Sequence, residues 1–176
     1  MRRILIPGRG TIVWANYFFA RGDFGGAAEH YRRAAELKPD LAPNHNNLGL
    51  GYARQQMFEQ AVTAYREAIA RSPSGAKTTV TFRINLANAL GAWGNQVETR
   101  SGPLGEAQSL YEAAALEYRT VLAIDDRTAV AHRNLALMLM QLGRTAEAAD
   151  HLRTTLRLIP DEPVATEILK EIQNGE

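Results

Sequence analysis

The sequence predicts an all-α solenoid of antiparallel helix pairs closed by a C-terminal capping helix. Three observations carry this. Pro39 and Pro73 stand 34 residues apart, and the strings before them match: Ala27, Tyr31 and Ala34 recur as Ala61, Tyr65 and Ala68. A related set, Ala114, Tyr118 and Val121, precedes Asp126, and Ala148 and Leu152 precede Pro160. Spacings of four and three put each set on one stripe of a helix. A fixed period of this size, punctuated by prolines where a second helix must end, marks stacked repeats.

The first unit, 8–41, opens with the stripe Thr11-x-x-Trp14-Ala15-x-x-Phe18 and turns at Gly22-Asp23. Glycine there supplies the positive φ of a helix stop. The second unit, 42–75, repeats the stripe as His45-x-x-Leu48-Gly49-x-x-Tyr52, and the fourth, 129–162, as His132-x-x-Leu135-Ala136-x-x-Leu139 with a turn at Leu142-Gly143-Arg144. A small residue at the centre of each stripe lets two helices approach closely.

The third unit, 76–128, is 19 residues longer than one period, and its Asn85-Leu86-Ala87 step falls four residues late. The remaining excess lies between Gly94 and Ala114, where the 94–105 segment is rich in loop formers. This predicts a long exposed loop between an ordinary first helix and an extended second helix from about Leu104 to Ile124. A final helix, 163–173, has Val164, Ile168, Leu169 and Ile172 as its apolar side and Glu167, Lys170 and Glu171 as a polar outer face, as an end cap requires. The chain 1–176 reads as one repeat domain.

These offsets closely resemble the tetratricopeptide repeat, W-x2-L-G-x2-Y then A-x3-F then P over 34 residues. The second unit matches best, with His45 at the first aromatic and Tyr65 for the phenylalanine. The resemblance implies a right-handed superhelix whose first helices line a concave groove for a protein or peptide ligand, and hence an adaptor or scaffold. It equally admits a targeting module of a larger enzyme, such as a glycosyltransferase, or a secretion-type chaperone.

If the Leu/Gly/Tyr stripe packs inward, the opposite side of each first helix faces that groove. It carries Asn16 and Phe19, then Asn47, Leu50 and Arg54, then Asn85 and Asn88, and finally Arg133, Asn134, Leu137 and Gln141. Asn47, Asn85 and Asn134 each stand directly before the Leu-Gly or Leu-Ala step. An amide both donates and accepts, so such a ladder can hold a peptide backbone of any sequence. It is similar to the asparagine ladder of the repeat module in protein O-linked sugar transferases. A carboxylate clamp is a poor fit. Asn16, Asn47 and Lys77 hold matching positions, but Ile12 and Thr81 replace two of the cations that grip a carboxylate.

Charge and composition exclude other classes. Lys+Arg total 20 against 19 Asp+Glu, a net +1, too balanced to select nucleic acid by its field. With no cysteine there is neither a disulfide framework nor a thiolate site. No apolar run approaches membrane-spanning length, and Pro7 and Gly8 break the Ile4-Leu5-Ile6 stretch, so a retained, cytoplasmic chain is expected. Those three apolar residues fold over the first helix pair, pair with a second copy, or mark the edge of a longer protein; the residues do not choose. His30, His45, His132 and His151 recur at repeat offsets and are read as helix-exposed, not convergent on a metal or cofactor. No nucleophile–base arrangement stands out, and no catalytic role is assigned.

Overall fold

The computed structural model describes residues 9–73, 77–100 and 104–174. Ile4–Ile6 and the Ser101-Gly102-Pro103 step lie outside the described residues. The described residues form nine helices: α1 (Arg9–Ala20), α2 (Phe24–Leu37), α3 (Ala42–Arg54), α4 (Phe58–Ala70), α5 (Lys77–Thr99), α6 (Leu104–Ile124), α7 (Ala129–Gln141), α8 (Thr145–Leu158) and α9 (Pro163–Asn174). The chain divides into two compact units, Met1–Ala89 and Leu90–Glu176, with the boundary inside α5.

In the first unit α1 packs on α2, α2 on α3, and α3 on α4. The stripes are the contact: Ala27, Tyr31, Ala34, Ala61, Tyr65 and Ala68 are all buried. Gly49 shows why the stripe needs a small residue. A Cβ there would lie 2.7 Å from the Tyr65 ring, inside van der Waals contact. Asn44, buried on α3, donates to the Ala34 carbonyl at 2.9 Å and ties the second hairpin to the first. Asp23 caps α2, its carboxylate accepting from the Gly26 amide at 2.8 Å.

One backbone device recurs at the repeat offset. Gly22 (φ 78°) and Gly143 (φ 72°) turn each hairpin through the left-handed region, and Gln56 (φ 59°) does so in the second. Glycine adopts that φ freely and glutamine does not, so the second turn holds backbone strain.

The second unit differs from expectation. Residues 94–99 and 104–105 of the anticipated long loop are helix: α5 runs 23 residues and α6 21, against 13 for α3 and for α4. The reason is a second copy of the stripe. Ala107, Tyr111 and Ala114 repeat the four-and-three spacing seven residues ahead of Ala114, Tyr118 and Val121, and all are buried. Tyr111 packs on Gly94 as Tyr65 packs on Gly49, and its hydroxyl reaches Asn95 Oδ1 and Glu98 Oε2, each at 2.8 Å. Burial and the Glu98 carboxylate push the Tyr111 hydroxyl up to about 12.

At the ends, α9 buries Ala165 and Leu169 while Val164 is 39% exposed. Trp14, expected on the inward stripe of α1, is 54% exposed beside buried Ala15. No described helix precedes α1 to cover it.

Candidate functional site

The asparagines of the first unit join into a chain. Asn85 Nδ2 donates to Asn46 Oδ1 at 2.9 Å, and Asn46 Nδ2 donates to Asn47 Oδ1 at 3.4 Å. Asn46 is thus the middle member, a residue that the sequence reading passed over. All three are half-buried. Asn47 keeps its own N–H groups, and Asn85 its carbonyl, without hydrogen bonds among the described residues. Asn16 is drawn elsewhere: its Oδ1 accepts from the Tyr31 hydroxyl at 2.7 Å.

Phe19 and Arg54 also come together. Phe19 packs against the Ala15, Ala27 and Tyr31 cluster and meets Phe24 edge-on at 5.2 Å. The Arg54 guanidinium lies 5.7 Å from the Phe19 ring centre and 6.0 Å from that of Phe24, within cation–π range. Gln55 holds the end of α3 by donating to the Phe24 and Gly51 carbonyls. Leu50 is half-buried and Asn88 exposed.

In the second unit the predicted residues serve partly as internal struts. Arg133, at the offset of Asn46, donates from Nε to Asn134 Oδ1 at 3.1 Å and from Nη1 to Glu162 at 2.9 Å. Asn134 Nδ2 reaches the Tyr118 hydroxyl at 3.4 Å, and burial pushes that hydroxyl up to about 12. Leu137 is half-buried and Gln141 exposed. Glu162 is buried and caps α9 through the Ala165 amide at 2.6 Å. Burial works to raise its carboxyl, but the Ala165 amide and Arg133 outweigh it and hold it below the ordinary value.

The histidines are not helix-exposed bystanders. His45 Nε2 lies 2.7 Å from the Pro39 carbonyl oxygen, and His132 Nε2 lies 2.9 Å from that of Asp126. Both rings fasten the turn that precedes their own helix, six residues back. His30 stacks on Phe18, ring centres 5.3 Å apart. Among the described residues no group of three or more His, Asp or Glu side chains is placed to hold a metal, and no helix is long and apolar enough to cross a membrane.

On the stripe of α3 opposite Asn47 lies an open cleft of about 450 Å³ between α3 and α4. His45, Leu48, Tyr52 and Ala64 form its inner wall, with Glu59, Gln60, Thr63 and Glu67 along α4. The sequence signal for it is the alanine at 64, where the first and fourth units have His30 and His151.

Known proteins share this architecture. Sequence profiles described as TPR repeat and Tetratricopeptide repeat match residues 15–56, 42–74 and 100–163. A BBSome complex member BBS4 homolog of Drosophila melanogaster is 29% identical over 65 residues, covering 37% of this chain and 13% of that protein. Among solved structures, MamA superposes with a TM-score of 0.74 at 17% identity, covering 92% of this chain and 83% of the other. The first repeat module of Spaghetti (RPAP3), bound to the HSP90 peptide SRMEEVD, gives 0.61 at 17% identity over 77% of this chain and 92% of the other. Period, stripes, paired helices and profile matches agree: this chain belongs to the tetratricopeptide repeat family.

Proposed function

We propose that the chain is a non-catalytic adaptor that holds an extended segment of a partner polypeptide on the first-helix faces of its repeats. The observation that supports this is the amide chain Asn85–Asn46–Asn47. Its internal bonds fix three side chains that would otherwise rotate, so less conformational entropy is lost on binding. It leaves N–H donors at Asn47 and a carbonyl acceptor at Asn85, which complement the C=O and N–H of a peptide backbone. Phe19 and Arg54 add an aromatic and a cationic contact on the same unit. The solved relative that carries a peptide lends the reading a precedent in the same fold.

Site-specific photocrosslinking tests it. A photoreactive residue at Leu50, one turn along α3 from Asn47, should trap a discrete polypeptide, and Asn46→Ala with Asn85→Ala should abolish the adduct while leaving helicity unchanged. No adduct, or one that persists in the double variant, would defeat the reading. The segment matched in the Drosophila relative is 13% of that protein. That favours a second reading, in which this adaptor works as the targeting part of a larger chain.

A further inference from the structure

The cleft between α3 and α4 exists because a side chain is missing. In the fourth unit His151, 19 residues after His132, fills the equivalent place, and the two Nδ1 atoms lie 2.8 Å apart. In the first unit His30 fills it and stacks face to face on Phe18 at an interplanar angle of 11°. In the second unit the counterparts of His132 and Phe18 are His45 and Tyr52, but the filling residue is Ala64. Both rings line the cleft without the ring that their counterparts have.

We propose that this cleft is a binding site for an arginine side chain of a partner polypeptide. The two occupied hairpins supply the template for the guest: a flat group that stacks on Tyr52 as His30 stacks on Phe18, and that donates to His45 as His151 meets His132. His45 Nε2 faces a carbonyl oxygen and therefore carries the proton of the neutral ring, which leaves Nδ1 an acceptor. The guest must be a donor. Nδ1 has no hydrogen-bond partner among the described residues.

Charge selects which donor. Glu67 is paired with Arg71, whose Nε also donates to the Pro39 carbonyl at 2.7 Å. Glu59 carries no ion pair among the described residues, so the cleft has one uncompensated carboxylate. A guanidinium is flat, always charged and a multiple donor, and meets all three demands together. Neutral imidazole meets two of them, and an ammonium cannot stack. The site lies on the stripe of α3 opposite Asn47, so it is independent of the amide chain.

An NMR titration decides it. N-acetyl-arginine amide should shift the His45 ring resonances saturably. N-acetyl-citrulline amide, flat but uncharged, should bind about tenfold or more weakly, the scale of one charge-assisted hydrogen bond. Glu59→Gln should weaken arginine by a similar factor. Ala64→His, which installs the ring that two sister hairpins already carry, should abolish the response, with circular dichroism reporting that it stays folded. If that variant unfolds, the citrulline and Glu59→Gln comparisons still decide. The proposal is overturned if no saturable shift appears up to high millimolar arginine amide, if citrulline or N-acetyl-histidine amide binds as well, or if folded Ala64→His binds normally.

Discussion

His132 and His151 share a single hydrogen bond between their Nδ1 atoms, 2.8 Å apart on α7 and α8. The Asp126 carbonyl requires a proton on His132 Nε2, so the bridging proton belongs to His151. Burial, with His132 and Arg119 alongside, lowers the affinity of His151 for a second proton, against opposing pulls from Glu147 and Asp150. A base depressed in the folded state binds fewer protons there than in the unfolded chain. Its contribution to stability is therefore complete above the ordinary value of 6.5 and is lost as pH falls from there through the folded value. Thermal unfolding should show a lower Tm at pH 5.5 than at pH 7.5, and His151→Gln should flatten that slope. An unchanged slope would show that other groups set it.

A carboxylate should govern the more acidic range. The Glu162 carboxyl is held below its ordinary value, so its stabilisation is present above that value and is lost as pH falls through the folded one. Glu162→Ala removes the cap of α9 and leaves Arg133 without its carboxylate, though still bonded to Asn134, for a loss of about 2–3 kcal/mol. Glu162→Gln keeps an acceptor for the Ala165 amide and should lose less. Urea unfolding of both variants separates the two contributions.

Gly49→Ala sets two effects against each other. Helix propensity alone predicts a gain of about 1 kcal/mol. The added Cβ would lie 2.7 Å from the Tyr65 ring, and overpacking of that kind loses about 1–3 kcal/mol. A net loss of stability is expected, read from the denaturation midpoint.

Gln56→Gly should act in the opposite direction. The left-handed φ of 59° strains glutamine and suits glycine. Relief is worth about 0.5–1 kcal/mol, and Tm should rise by a few degrees.

The helix pairs were legible because burial follows period: Ala27, Tyr31, Ala61 and Tyr65 are apolar or aromatic at fixed offsets, and the structure buries them together. Residues 95–99 misled because Asn95, Val97 and Thr99 are weak helix formers, and tertiary contact overrode that weakness. The signal was present in Ala107-x3-Tyr111-x2-Ala114, which already spelled the stripe once more. Asn46 was invisible for a different reason. Its role depends on Asn85, 39 residues away in sequence, and one helix wheel does not report what a neighbouring helix brings. The turn at Gln56 was likewise hidden, since its φ belongs to a residue that rarely adopts it.

The doubled tyrosine stripe of α6 also fixes what lengths this hairpin can take. Seven residues are nearly two whole turns, so Tyr111 and Tyr118 point almost the same way, about 20° apart. Shortening α5 and α6 by seven residues each would remove one tyrosine clasp and leave the next one aimed at its partner. Trimming each by five would swing that clasp toward water, so the arm is adjustable only in steps that return to the same helical face, seven residues among them.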